Sequence, residues 1–365
     1  MTFNEVIGQE ETKERLLRMA RENRVPHAML FCGPTGSGKM ALAIAFACHL
    51  LPDSPLLKKL QHPDLHFTYP TIKLPSMGAE HQPVSDDFAA EWNQMVTQDP
   101  YFTMDQWMTA MGAANQQAII TGAESDELSR KLSLKSSQGG YKVSIIWLPE
   151  RMNQTSANKL LKLLEEPPQQ TVFIMVSEAP EQLLDTIRSR TQRIDIRPID
   201  TEAIKQALIH QRGLEEVDAN RIARLSNGSW QNALSTLDAA NENNQFLDYY
   251  KMLMRLAYTR NIRDLKKWSE NIAALGREKQ KRMLSYFNRQ VRENFMNNFG
   301  IEELNYMTIE ESEFSKKFSR FINEANVVEI SELLTKAERD IGQNANAKVV
   351  FFDLALQMIV LLIRK

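Results

Sequence analysis

Cysteine is scarce in this chain, with two among 365 residues, Cys32 and Cys48. One lies in an apolar run that reads as a buried strand and the other in a helix, so they build no disulfide framework and point to a reducing compartment. An excess of charge of either sign is also lacking. The formal net charge is −2, which removes any global attraction to nucleic acid and leaves only a local patch or a partner to supply one. The N-terminal stretch Met1-Thr2-Phe3-Asn4-Glu5 has no basic segment followed by an apolar one; nothing in it directs export, and the cytoplasm is the expected location. The apolar stretch from Val349 to Ile363 is short of the ~20 residues a membrane span needs and carries Asp353 and Gln357. It reads as a buried final helix, and no membrane partner is expected. No internal repeat is visible.

What is present suits a globular chain of two or three domains, with 43% hydrophobic residues to build their cores. From Ala28 to about Arg197 apolar strands alternate with helices. Ala28 to Cys32, Tyr141 to Trp147, Thr171 to Ser177 and Gln192 to Ile196 read as strands, and Met152 to Glu166 as a helix stopped by Pro167-Pro168. That alternation predicts an α/β domain with a mostly parallel sheet over residues 1–197. Past Pro198 apolar residues recur only at helical spacing, as in Ala203 to Ile209, Ile222-Ala223-Leu225 and Ala233-Leu234-Leu237. This predicts a small all-helical domain over 198–242. After the polar run Asn241 to Gln245 the helices lengthen, which predicts a third, helical domain over 243–365. The stretch from Tyr69 to Leu128 is the least legible. Its Trp92, Met95, Met104, Trp107, Met108 and Met111 suit either a sticky partner surface or internal packing, and packing is the commoner use of such a stripe.

The most informative segment is Gly33-Pro34-Thr35-Gly36-Ser37-Gly38-Lys39-Met40. It is a phosphate-binding loop, G-x-x-x-x-G-K, between a strand and the helix from Met40 to Leu51, the context the motif requires. In such loops backbone N–H groups cradle phosphates, the lysine reaches the β/γ oxygens, and a Ser or Thr after it ligates Mg²⁺. Here that residue is Met40, whose thioether is a poor ligand for a hard cation. Gly33, Thr35, Gly36, Ser37, Gly38 and Lys39 are therefore the candidate phosphate-binding set. A nucleotide hydrolase also needs a second apolar strand ending in carboxylates that hold the metal and polarise water. The matching strand, Val143-Ser144-Ile145-Ile146, runs into Trp147-Leu148-Pro149-Glu150. The acids are missing, and Glu150, beyond a proline, does not read as their substitute.

Several blocks in order resemble bacterial clamp-loader subunits of the AAA+ class, with the δ′ subunits of DNA polymerase III as the nearest pattern. They are Phe3-Asn4-Glu5-Val6-Ile7-Gly8-Gln9, Pro26-His27-Ala28-Met29-Leu30-Phe31, the loop itself, Ala157-Asn158-Lys159-Leu160-Leu161-Lys162-Leu163-Leu164-Glu165-Glu166-Pro167-Pro168, and Thr186-Ile187-Arg188-Ser189-Arg190. The resemblance implies an AAA+ domain, a helical lid and a C-terminal helical collar that joins a hetero-oligomer. It implies δ- and γ/τ-type subunits as partners, and a sliding clamp and primed DNA as partners reached through the complex. In active members the second strand ends in an Asp-Glu pair, which corresponds here to Trp147 and Leu148, and a sensor arginine of the lid corresponds to Gln231. The resemblance therefore implies a degenerate site that holds ATP or ADP weakly or not at all. The family's four-cysteine zinc module is absent, so no zinc is expected; Cys48, His49, His62 and His66 are a poorer reading as a substitute set than as polar loop residues. What is retained is Ser189-Arg190. In clamp loaders this arginine points into a neighbouring subunit's nucleotide site, so Arg190 is the candidate catalytic residue, acting in trans, with Thr191 where the family has cysteine.

Arg277, Lys279, Lys281, Arg282, Arg289 and Arg292 share a helix and could contact DNA phosphates, but the interleaved Glu278 and Glu293 favour a solvated face. Three functions are open. The chain braces a clamp loader and lends Arg190 to a neighbour; or it is a self-sufficient ATPase remodelling motor, against which the missing acids speak; or it senses nucleotide without turning it over.

Overall fold

The computed structural model describes residues 1–112, 116–137, 139–299 and 307–364. The chain divides into two compact units, Met1–Thr236 and Leu237–Lys365. In the first, strands β1 (Ala28–Cys32), β2 (Leu65–Thr68), β3 (Lys142–Trp147), β4 (Thr171–Ser177) and β5 (Gln192–Asp195) form one sheet in the order β2-β3-β4-β1-β5. Every pairing is parallel. β1, β3 and β4 are buried along their whole lengths, as strands covered by helices on both faces must be. The helices of this unit are α1 (Glu10–Arg21), α2 (Lys39–Leu50), α3 (Pro55–Lys58), α4 (Ala89–Gln98), α5 (Met104–Ala110), α6 (Gly122–Ser133), α7 (Gln154–Glu165), α8 (Asp185–Arg188), α9 (Thr201–Arg212) and α10 (Glu216–Leu225).

Packing follows from these patterns. In α2 every residue from Lys39 to Ala47 is buried, because a helix apolar all round can only sit inside a core; it packs on β1, β3 and β4. Leu30, Ile146, Phe173 and Met175 of the sheet are buried with Leu128 and Leu132 of α6, Leu160 and Leu164 of α7, and Ile187 of α8. α7 starts where the Asn153 side chain accepts the Ser156 N–H at 2.8 Å, an N-cap. It ends just before Pro167-Pro168, as expected. The α/β reading is thus borne out, with one addition. β2 has only four residues, two of them half-buried, too short for an alternation to register in the sequence. In the stretch 69–128, whose residues 113–115 lie outside the described residues, Trp92, Trp107, Met108 and Met111 are buried. Met95 and Met104 are half-buried, so most of the aromatic and methionine stripe is internal packing.

α11 (Trp230–Tyr258) runs unbroken through Asn241–Gln245, the polar run after which the sequence predicts a third, helical domain. That polar run holds neither glycine nor proline, and without a breaker nothing interrupts the helical hydrogen bonds. Glu242 is instead clamped by the guanidinium of Arg282, with two bonds of 2.8 Å. The second unit continues with α12 (Ile262–Ala273), α13 (Arg277–Asn297), α14 (Ile309–Phe318), α15 (Val327–Gly342) and α16 (Ala347–Leu361), and its described residues contain no strand. Tyr250, Trp268, Phe287, Ile330, Phe351 and Met358 meet in its core. α16 is the final helix anticipated, but only one face is buried, through Phe351, Leu354, Ala355, Met358 and Leu361, while Val349 and Val360 are exposed; no described helix is long and apolar enough to cross a membrane. Four of the six basic residues of α13 are in ion pairs, Lys281 with Glu278, Arg282 with Glu242, Arg289 with Glu311 and Arg292 with Glu293, and Lys279 bonds the Gln245 side chain at 2.7 Å. Most of their charge is balanced locally, which fits a mixed surface face better than a phosphate-binding one.

Glu311 anchors this unit. It is 2% exposed and accepts bonds from Tyr286 Oη at 2.7 Å, Arg289 at 2.7 Å, Gln290 Nε2 at 2.5 Å and the Thr308 N–H at 2.7 Å. Burial raises its pKa, but the Tyr286 hydroxyl, the Thr308 N–H and Arg289 outweigh it and hold the value below the usual glutamate range. A carboxyl with a lowered folded pKa stabilises fully above its unfolded pKa and loses that contribution as the pH falls through the folded value. Glu311→Ala should cost about 3 kcal/mol at neutral pH, because it orphans a buried hydroxyl and a cation. Thermal midpoints from pH 7 to pH 3 should show the gap between wild type and variant closing on the acid side; a constant gap would show that the ionised form is not what stabilises.

Candidate functional site

β1 ends at Cys32 in the interior of the sheet, between β4 and β5. The loop Gly33–Lys39 then leads into the N-terminus of α2, at the carboxyl ends of the strands where open α/β sheets bind ligands. Gly36 and Gly38 have φ of +77° and +89°, a left-handed backbone that glycine adopts without strain. Lys39 is 4% exposed. Its Nζ donates to the carbonyls of Gly33 at 2.7 Å and Pro34 at 2.6 Å, with Glu178 Oε1 at 3.7 Å. Burial lowers its pKa below the usual lysine value, against the opposing pull of Glu178 and Glu150. Ser37 is buried, and its hydroxyl has no hydrogen-bond partner among the described residues. Thr35 is exposed at the tip. Met40 turns into the core at 5% exposure.

Four segments close on this loop. The Trp230 N–H donates to the Gly36 carbonyl at 3.0 Å, and Ser229 Oγ lies only 2.2 Å from where a Cβ on Gly36 would stand. The ring of Tyr101 lies 3.1 Å from the equivalent point on Gly38; its hydroxyl accepts the Ile7 N–H at 2.8 Å, and its ring centroid is 6.4 Å from that of Trp230. Gln9 Nε2 donates to the carbonyls of Ser37 at 3.0 Å and Arg197 at 2.6 Å. Gln231, which the family resemblance aligns with a sensor arginine, donates to Asp99 Oδ2 at 3.3 Å. Ser229, Trp230, Tyr101 and Asp99 were not singled out by sequence. The first two adjoin Gln231 in a block that was, whereas Tyr101 and Asp99 sit in the illegible stretch and carried no signal.

The end of β3 is apolar in surroundings as well as in sequence. The Trp147 ring lies 4.8 Å from Phe102 and 5.4 Å from Trp92, centroid to centroid. Trp92 in turn stacks on Tyr69 at 3.9 Å and meets Trp107 edge-on at 5.2 Å. Leu148 follows, 3% exposed with φ +52°, a conformation that costs a leucine about 1 kcal/mol. Glu150 Oε1 accepts the N–H groups of Glu178 at 2.8 Å and Ala179 at 3.1 Å, so its carboxylate holds the turn after β4. A phosphate-cradling backbone is therefore present, but the positions that would offer oxygen to a cation hold Met40, Trp147 and Leu148. The residues present do not fit a metal–nucleotide pair. No described group of three or more His, Cys, Asp or Glu is placed to hold a metal. Of the histidines weighed as ligands, His49 packs against Phe3 at 6.0 Å. His62 is buried, not a polar loop residue, and accepts the Asp64 N–H through Nδ1 at 3.1 Å. Burial, with help from Lys131, lowers the His66 pKa to about 4.

Arg190 stands just past α8. Its guanidinium bonds Glu165 Oε1 at 2.8 Å and the Thr186 carbonyl at 3.0 Å, neither of them in the phosphate loop. Its side chain is 37% exposed. Thr191, in the family's cysteine position, donates its hydroxyl to the Arg188 carbonyl at 3.0 Å. A carboxylate forced into the ring cluster would have no partner, so Trp147→Asp should lower stability by roughly 3 kcal/mol or more. Denaturant unfolding of the purified chain measures this; an unchanged midpoint would show that the rings do not depend on one another.

A family profile described as "DNA polymerase III, delta subunit" matches residues 8–200. The chain is 28% identical over 246 residues to DNA polymerase III subunit tau of Bacillus subtilis, covering 65% of this chain and 37% of that protein. It is 27% identical over 208 residues to the B. subtilis subunit delta', covering 54% and 50%. It thus spans half or less of these relatives' length. A solved structure of a DNA polymerase III gamma subunit-related protein from Thermotoga maritima aligns over 95% of this chain and 99% of that one, at 14% identity and a TM-score of 0.37.

Proposed function

The chain belongs to the DNA polymerase III, delta subunit family of clamp-loader AAA+ proteins, and on that premise we propose that it is a δ′-like subunit with little or no ATPase of its own that lends Arg190 to a neighbour. The observation that carries this reading is the replacement of the metal-holding carboxylate by Trp147, whose ring is locked among Phe102 and Trp92. A hydrolytic site needs charged oxygens in that space, and an exposed arginine on another face has no use for them. The domains follow the same reading: an AAA+ domain over 1–197, a helical lid over 198–242, and a collar over 243–365 that joins δ- and γ/τ-type subunits. Together they load a sliding clamp on primed DNA. An arginine supplied in trans stabilises charge on the transferring phosphoryl group and requires no metal on its own chain.

A second reading has its own support. Gly36, Gly38 and Lys39 keep the geometry of a phosphate cradle, which favours a module that binds ATP or ADP without turnover. Titration of the isolated chain with ATP, with and without Mg²⁺, separates the two, and binding that Lys39→Ala abolishes supports the sensor. A self-sufficient motor is disfavoured by Met40 and Trp147 alike.

The isolated chain should hydrolyse ATP no faster than its Lys39→Ala variant, and a turnover clearly above that variant contradicts the proposal. In the reconstituted complex Arg190→Ala should assemble normally, since an exposed ion pair contributes about 1 kcal/mol or less. Clamp-stimulated ATPase should nevertheless fall, by up to ~10³ at the one site that depends on it, and by less in total where other sites keep their own arginines. Lysine should rescue in part, keeping the charge without the planar fork. Wild-type ATPase in an assembled Arg190→Ala complex would end the trans-acting role.

A further inference from the structure

Glu165 is the last residue of α7, and Glu166 follows it directly before Pro167-Pro168. Two carboxylates at a helix C-terminus oppose the helix dipole, whose negative end prefers cations. A local rule broken in this way often marks a place where the compensation is functional. Here the compensation comes from outside the helix. Arg190 Nη2 donates to Glu165 Oε1 at 2.8 Å while Nη1 donates to the Thr186 carbonyl at 3.0 Å. The two contacts grip one guanidinium at two nitrogens. A guanidinium has five N–H donors in a rigid fork, so donors are left for a second anion. Glu165 is 51% exposed and Arg190 37%, and the pair is reachable from solvent.

We propose that Glu165 is the positioning residue for Arg190, an inference that rests on the trans-acting role proposed above. A free arginine loses considerable rotamer entropy when it engages a phosphate. One already held at two points by Glu165 and Thr186 has lost most of it beforehand, so its full contribution is made in the transition state. The same exposure that makes the pair reachable makes it a minor contributor to folding. Glu165 therefore acts on turnover through Arg190, and Thr186 contributes through a backbone carbonyl that no side-chain substitution removes.

The test is steady-state ATPase of the reconstituted complex with clamp and primed DNA, over a range of ATP, for wild type, Glu165→Ala, Glu165→Gln, Arg190→Ala and the Glu165→Ala/Arg190→Ala double variant. Glu165→Ala should lower kcat about two- to fivefold, the worth of an exposed ion pair, with KM unchanged. Glu165→Gln, whose amide oxygen still accepts the bond, should recover at least half of that loss. The double variant should match Arg190→Ala, because a positioning residue has nothing left to position. Glu165→Ala at the wild-type kcat beside an impaired Arg190→Ala overturns the positioning role and leaves the trans-acting one standing. A double variant worse than Arg190→Ala, or Glu165→Gln as impaired as Glu165→Ala, also overturns it. Arg190→Ala at the wild-type rate removes both.

Discussion

Trp147 leaves β3 into a stack of rings, with Phe102 and Trp92 against it and Tyr69 and Trp107 behind, and most of what this chain does with its phosphate loop depends on that packing. A metal–nucleotide site needs carboxylates and water at the end of the second strand. Aromatic rings need the same volume to be dry and close-packed. The two demands are exclusive, and the stretch 69–128, whose aromatic and methionine stripe the sequence reads as internal packing, is what meets the second. It supplies Trp92, Phe102 and Trp107 to the cluster, and it also places Tyr101 over Gly38 and Asp99 against Gln231.

With rings filling that space, the loop also has a structural part. Its carbonyls bind Lys39, Gln9 and the Trp230 N–H, so it ties the start of α11 to α2 inside the first unit. A glycine loop suits this because Gly36 leaves room for Ser229 where any Cβ would collide. Gly36 and Lys39 thus have structural contacts of their own within the loop. Arg190 is different. Its guanidinium offsets the unfavourably placed Glu165 yet stays 37% exposed, and that exposure underlies the proposal that it serves a neighbour.

Legibility in the sequence followed the strength of the local signal. Strands β1, β3 and β4 were readable because they are near-continuous apolar runs, and α7 because Asn153 and Pro167 mark its ends. β2 was missed because four residues with a half-buried His66 carry no period. At the site, Gly33 to Lys39, Met40, Trp147 and Arg190 were visible as motif positions. Tyr101 was not, and Glu165 was visible only as part of a matched block, since each acquires its role from a contact distant in sequence, Ile7 with Tyr101 across 94 residues and Glu165 with Arg190 across 25.

On the proposed reading, the chain gives an arginine away and takes no metal–nucleotide of its own. The most direct measurement is a structure of the assembled complex with a non-hydrolysable ATP analogue and Mg²⁺. The account predicts the Arg190 guanidinium within hydrogen-bond distance of a γ-phosphate held by the neighbouring subunit, with Glu165 still bonded to it and Trp147 still among its rings. An Arg190 bonded only within its own chain, or a metal-bound analogue seated on Gly33–Lys39, would contradict it.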